Sequence, residues 1–165
     1  WEPKQAVRLL NQMQEKGLDI EFVEQPVKAH DFAGLKYVTE RSYVPVLADE
    51  SVFSPEDALT IMQMGAADLV NIKLMKCGGL YPAEKINAVA EANHVQCMVG
   101  CMLETKVAIA AGVALVAAKS NITEADCDSF MYAVDPEMGM PGGFSVEGGV
   151  YTLSDKPGLG LDFDF

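Results

Sequence analysis

Five polar residues recur along this 165-residue chain at nearly constant intervals. Glu24, Asp49, Lys73, Cys101 and Asp126 follow one another at spacings of 25, 24, 28 and 25 residues. Glu24 and Asp49 offer hard oxygen donors suited to Mg²⁺, which usually keeps positions open for water or a substrate oxygen. Lys73 suits a proton-transfer base once burial and a nearby cation lower its pKa. A metal beside a lysine is an arrangement for removing a proton next to a carboxylate and stabilising the enediolate that results. Singly, an acid after a strand is commonly a helix cap or a loop charge, and a lysine a surface residue. Three strand ends in register, bearing carboxylate, carboxylate and amine, point instead to a shared site.

The intervals match one strand–helix unit each. A helix is predicted over 3–16, with Pro3 near its start, Ala6, Leu9, Leu10 and Met13 on one stripe, and Gly17 as a stop. Strands are predicted over 20–24, 44–48, 69–72, 95–99 and, shortest, 125–127. Helices follow over 31–41, with Asp31 as N-cap, over 55–64, between Ser54 and Gly65, over 82–92, and over 105–119. The last of these is apolar almost all round, which predicts deep burial. Beyond it, residues 136–165 are rich in Gly and Pro, with one hairpin predicted over 144–153 around Gly148-Gly149.

Strands alternating with helices of this length imply parallel βαβ units, either in a doubly wound sheet or in part of a barrel. Periodicity does not separate the two. The polar strand ends favour a barrel, whose active sites lie at the C-terminal ends of its strands. Strand parity agrees, since Ile20, Phe22 and Glu24 share a face, as do Leu69, Asn71 and Lys73.

Composition narrows the function classes. Half the residues are hydrophobic and 22% charged, enough for a sizeable core and against disorder. A net charge of −12 argues against nucleic-acid and anionic-membrane partners, while it sits easily with a divalent cation. The four cysteines form no CxxC pair and only His30 and His94 accompany them, which argues against structural zinc and for reduced thiols. No apolar stretch is long enough to span a bilayer and no signal peptide opens the chain, so the expected compartment is the cytoplasm. The chain opens on Trp1 without a methionine, which leads to the expectation that its beginning is missing.

The stretches Ile20–Pro26 (IEFVEQP), Val46–Ser51 (VLADES), Asn71–Gly79 (NIKLMKCGG), Gly100–Thr105 (GCMLET) and Asp126–Asp128 (DCD) resemble, in order and spacing, the muconate-lactonizing subgroup of the enolase superfamily. The resemblance covers the whole chain. It implies part of a TIM-type (β/α)7β barrel, about strands four to eight, over residues 1–135. Residues 136–165 would form a Gly-rich tail returning toward an absent capping domain. Glu24 and Asp49 resemble the second and third Mg²⁺ ligands, and Lys73 the lysine at the end of the sixth strand. Asp126-Cys127-Asp128 resembles the signature of the subgroup's dipeptide epimerases, of the Ala-Glu type. Two aspartates at i and i+2 on a strand would share a face and grip a substrate's α-ammonium group. Cys101, Met102 and Leu103 match the segment lining the dipeptide pocket. Glu104 matches an acidic position after the seventh strand, or else is an acid favourable to a helix N-terminus. The first metal ligand and an opposing lysine would lie upstream of Trp1.

The implied activity is Mg²⁺-dependent epimerisation of dipeptides by α-proton abstraction and return in the full-length enzyme, an isomerase, with the isolated segment inactive. Muconate cycloisomerase, o-succinylbenzoate synthase or N-acylamino acid racemase chemistry uses the same metal and lysine, but those substrates give the aspartate pair no ammonium to hold. A non-catalytic half-barrel is the reading from another class. The open sheet edges of a half-barrel would also favour association with a second copy of the chain.

Overall fold

Helices start and stop where the sequence supplies caps. Asp31 accepts a 2.8 Å hydrogen bond from the Gly34 N–H and opens α2 (Phe32–Thr39). Ser54 accepts from the Asp57 N–H at 3.1 Å and opens α3 (Pro55–Met64), which Gly65 closes at φ +61°. The computed structural model describes residues 1–135 and 140–162, so residues 136–139 and 163–165 of the expected tail lie outside the described residues. The remaining helices are α1 (Pro3–Glu15), the short α4 (Leu74–Cys77), α5 (Leu80–Ala92) and α6 (Lys106–Ala118).

Five strands, β1 (Val23–Glu24), β2 (Val46–Ala48), β3 (Leu69–Lys73), β4 (Gln96–Gly100) and β5 (Ile122–Asp126), form one parallel sheet in sequence order. Parallel neighbours in sequence order, each joined by a helix, are the βαβ pattern expected from the spacing. The first two strands are shorter than predicted. Pro45 has no N–H to give, and the β1–β2 ladder begins only at Val23↔Val46. The fifth starts earlier than predicted, at Ile122, because Thr123 to Asp126 are exposed on an edge strand and lack the apolar pattern of a buried one. The turn α4 was not predicted.

The sheet's two faces differ. Val46, Ala48, Val70, Ile72, Cys97 and Val99 join a core with Leu10, Leu35, Ile61, Ile86 and Ile109 from the helices. Leu47, Asn71 and Met98 are buried on the opposite face, outside that cluster. Burying a Val or Ile side chain typically contributes about 1.5–3 kcal/mol, so this alternation fixes which face looks at the helices.

The glycine-centred hairpin forms as expected. β6 (Phe144–Glu147) and β7 (Val150–Leu153) pair antiparallel through Gly148 and Gly149, both at positive φ. Phe144 and Tyr151 meet Phe130 edge to face at ring-centre distances of 5.1 and 6.4 Å, and the Tyr151 hydroxyl donates to the Cys127 carbonyl at 3.0 Å. The hairpin is thereby attached to the segment after β5. Among the described residues, no helix is long and apolar enough to cross a membrane.

Candidate active site

The C-terminal rim of the sheet gathers the charged residues that the spacing singled out. Lys73, the last residue of β3, places its Nζ 2.7 Å from Asp49 Oδ2 and 3.8 Å from Glu24 Oε1. Lys73 pairs in register with Gly100 on β4, and Gly100 with Asp126 on β5. Lysine and aspartate therefore stand level, two strands apart, with no side chain between them.

Glycine is required at that midpoint. A Cβ on Gly100 would lie 2.7 and 2.8 Å from the amide atoms of Asn71 and 3.0 Å from Lys73 Cε. Asn71 is fully buried. Its Nδ2 donates to Glu24 Oε1 at 2.7 Å and its Oδ1 accepts from the Gly100 N–H at 2.8 Å, so it braces the acid on β1 against β4.

Asp49 carries more positive charge than the sequence reading gave it. Lys76, on the turn α4, donates to Asp49 Oδ1, to the Asp49 carbonyl at 2.6 Å and to the Asn71 carbonyl at 3.2 Å. The Lys76 and Asp49 side chains are only 5% and 4% exposed. The overlooked signal was local: Lys76 lies three residues after Lys73 and just before Gly78-Gly79, where a single helical turn ends at positive φ. Nor does the spacing single out Gln25 or Asn71, although parity places Asn71 on the face of Lys73.

The electrostatics follow from these contacts. Burial raises the Glu24 pKa, and the nearby Asp49 carboxylate raises it further against the lowering bond from Asn71. Burial also opposes ionisation of Asp49, but the hydrogen bonds from Lys73 and Lys76 outweigh it and leave its pKa below the ordinary value. For Lys73, burial lowers the pKa, yet the bond to Asp49 and the charges of Asp49 and Glu24 prevail and raise it. The sequence reading had burial and a cation lowering it. Lys76 is deeper, and there burial wins and lowers the pKa.

Glu24 and Asp49 fit a divalent cation in their chemistry. Two hard carboxylates from adjacent strands converge on one point, and the Lys73 ammonium already shows that the point accepts positive charge. Among the described residues, no cluster of three or more His, Cys, Asp or Glu side chains joins them, so the described part of the chain contributes two carboxylates to such a site.

The remaining expected residues spread along the same rim. Met102 helps line a hollow of about 240 Å³ with Asp49, Phe53, Lys73 and Lys76. Cys101 is half-buried, with its Sγ 3.9 Å from Asp128 Oδ1. Leu103 is 82% exposed and belongs to a neighbouring hollow of about 250 Å³ with Ser129, Tyr132 and Ala133. Asp128 does not lie on the strand as expected. β5 ends at Asp126, and Asp128 opens a 3-10 turn over Ser129–Tyr132. The two carboxylates still approach each other: burial and then the Asp128 charge raise the Asp126 pKa, while Lys73 lowers it. Cys127 between them is buried, its Sγ directed at the Val99 carbonyl at 3.7 Å. Glu104 is 6% exposed. Its carboxylate accepts from the Met102 N–H at 3.1 Å and its own N–H donates to Ser129 Oγ at 3.1 Å, so it braces the loop after β4.

The whole chain, residues 1–165, matches the enolase C-terminal domain-like family. It is 50% identical over 162 residues to an L-Ala-D/L-Glu epimerase of Clostridium acetobutylicum, covering 98% of this chain and 45% of that protein. A hydrophobic dipeptide epimerase of Enterococcus faecalis is 44% identical over 164 residues, with 98% and 45% covered. Among solved structures, the substrate-liganded L-Ala-D/L-Glu epimerase from Bacillus subtilis superposes with a TM-score of 0.95 at 48% identity, over 98% of this chain and 44% of that one. The dipeptide epimerase of E. faecalis complexed with Mg and the dipeptide L-Leu-L-Tyr gives 0.93 at 42% identity, over 99% and 46%. The chain thus spans a little under half the length of these relatives.

Proposed function

This chain belongs to the enolase C-terminal domain-like family, and we propose that it supplies the C-terminal half of the catalytic barrel of a Mg²⁺-dependent dipeptide epimerase. Residues 1–135 are then strands four to eight of a (β/α)7β barrel, and residues 136–165 a tail returning toward a capping domain. One observation carries the reading: the Lys73 ammonium lies between the Asp49 and Glu24 carboxylates and stands level with Asp126 across the bare Gly100.

Glu24 and Asp49 would hold the Mg²⁺. When bound, the metal supplies positive charge to a substrate carboxylate and so acidifies the neighbouring α-proton. Were both carboxylates committed to that cation, Lys73 would lose the Asp49 bond and the Asp49 and Glu24 charges, the main groups that raise its pKa, and burial, the largest single effect, would lower it. The neutral amine can then accept the α-proton on one face of the substrate, while a lysine outside this chain serves the other face. Asp126 and Asp128 hold the substrate's α-ammonium group, with Cys101 beside Asp128 and Met102 beside Lys73, while Leu103 borders the neighbouring hollow.

The dimensions suit a dipeptide. Two strand spacings separate Lys73 from Asp126, about 9–10 Å at the backbone. An extended dipeptide spans about 7 Å, a length comparable with that separation. Solved relatives are described with Mg and dipeptides, which supports both ligands.

The test is exchange at the α-carbon. Full-length protein with Mg²⁺ and L-Ala-L-Glu, or L-Leu-L-Tyr, in D₂O should deposit deuterium at the α-carbon of the C-terminal residue and form the epimer. Lys73→Ala should slow both by about 10²–10⁴-fold. Undiminished exchange by that variant would remove Lys73 from the mechanism.

A further inference from the structure

Glu24 and Asp49 lie at the ends of two strands whose mutual ladder is very short. β1 has two residues, paired as Val23↔Val46 and Glu24↔Leu47. So brief a ladder leaves the separation of two carboxylates at its open end weakly determined. The side chain of the next residue, Gln25, continues the connection where the ladder stops.

The Gln25 N–H donates to the Leu47 carbonyl at 2.9 Å. Its Oε1 accepts from the Asp49 N–H at 2.9 Å and from the Ser51 N–H at 3.3 Å. Its Nε2 donates to Ser51 Oγ at 2.9 Å and to the Val27 carbonyl at 3.2 Å. Ser51 Oγ in turn donates to the Ala29 carbonyl at 2.6 Å. A primary amide has two acceptor lone pairs and two donor hydrogens, and all four are used. The amide is therefore fixed in orientation as well as in place.

This arrangement is held against a local preference. Gln25 sits at φ +39°, a region non-glycine residues rarely occupy, and it precedes Pro26, which further restricts its backbone. Strain of this kind persists where surrounding contacts over-determine it, and it concentrates at functional sites. A glycine would relieve the backbone but would make none of the four side-chain bonds.

We propose that Gln25 is the positioning residue that sets the separation of the Glu24 and Asp49 carboxylates. It ties the backbone next to one acid to the backbone N–H of the other, and so prepares the pair for a divalent cation. This rests on the reading of Glu24 and Asp49 as metal ligands. The clamp acts through the two acids, and all four of its side-chain bonds are to the protein.

The experiment is Mn²⁺ binding by the full-length protein without substrate, followed by electron paramagnetic resonance of free Mn²⁺, beside denaturation in chelator. Gln25→Ala and Gln25→Gly should both weaken Mn²⁺ binding by about 10–100-fold, the range for lost outer-shell partners. In chelator Gln25→Gly should be the more stable of the two, since glycine accepts φ +39°. The two variants then differ in stability while losing metal affinity alike, which a merely structural role would not produce. Ser51→Ala, which removes one of the four partners, should weaken binding in the same direction by less, and it keeps the test usable should Gln25→Ala fail to fold. Wild-type Mn²⁺ affinity in Gln25→Gly, or affinities that simply track stability, would overturn the clamp. Glu24→Gln serves as the control. If it leaves Mn²⁺ binding unchanged, the metal reading itself falls; if it abolishes binding while both Gln25 variants bind normally, only the clamp does.

Discussion

Replacing Lys76 by methionine keeps the length of a buried side chain and removes its charge. Asp49 and Lys76 are both at least 95% buried at the side chain, so the pair sits where removing one partner of an ion pair costs about 3–5 kcal/mol. Two features lower that figure. Lys73 stays 2.7 Å from Asp49 Oδ2, so the carboxylate is not left without a cation. The Asp49 carbonyl, which Lys76 also contacts, keeps its bond from the Val52 N–H at 2.9 Å. Lys76→Met should therefore destabilise the metal-free protein by about 2–3 kcal/mol, short of the full penalty. Urea denaturation in chelator at pH 7, with Lys76→Met, Asp49→Asn and the double variant, isolates the pair. Asn at position 49 no longer needs a counter-charge, so the two substitutions together should cost clearly less than their sum. Lys73→Met in the Lys76→Met background should then cost more than in the wild type, because Asp49 loses its last cation. A Lys76→Met effect within about 0.5 kcal/mol of zero, or additive single effects, would refute the claim that Lys76 is the permanent counter-ion of Asp49.

Glu24→Gln should stabilise the metal-free protein at neutral pH while abolishing the stabilisation that Mg²⁺ brings. The folded-state pKa of Glu24 is raised above 4.5, so its ionisation burdens the fold fully above that raised value and not at all below 4.5. The advantage of the variant should accordingly be present at pH 7 and vanish as the pH falls through that window, as denaturation in chelator at stepped pH would show. Gly100→Ala drives a methyl into the Asn71 amide and Lys73 Cε, and overpacking of this kind typically costs about 1–3 kcal/mol. Turnover should fall further than stability predicts, because Lys73 is displaced; a fully active Gly100→Ala would refute the packing argument. Asp126→Asn and Asp128→Asn should raise KM for free dipeptides by an amount worth about 2–5 kcal/mol for a desolvated ammonium–carboxylate contact, leaving Mn²⁺ affinity nearly unchanged. N-acetylated dipeptides should be poor substrates, and equal turnover of acetylated and free forms would favour the N-acylamino acid branch instead.

What the sequence made legible was local or periodic. Asp31, Ser54, Gly65 and Gly148-Gly149 act on their own neighbours, so their cap and turn chemistry needs no knowledge of the fold. The facing of Lys73 followed from parity along one strand. Lys76 was hidden because its role depends on α4, a four-residue turn too short for a helical pattern, which carries its ammonium back beneath Asp49. Gln25 was hidden because three of its four side-chain bonds reach residues 24 and 26 positions away in the next loop.

The position of Asp126 shows where such reading ends. Cys97 pairs with Ile122, but the next β4 residue, Met98, pairs with Glu124, leaving Thr123 as the extra residue of a bulge. Continued without the bulge, the register would set Gly100 beside Ala125 and move Asp126 one step along and onto the other face of the sheet. With it, Asp126 stands opposite Gly100, level with Lys73. Strict alternation would put Ile122, Glu124 and Asp126 on one face, an apolar residue with two acids, but the strand's sequence alone does not say where that alternation breaks. The choice is made by the pairing itself: Ile122 and Cys97 are both buried in the helix-side core, while Glu124 and Asp126 are exposed. The bulge reconciles an apolar anchor on one face with a pair of acids on the other.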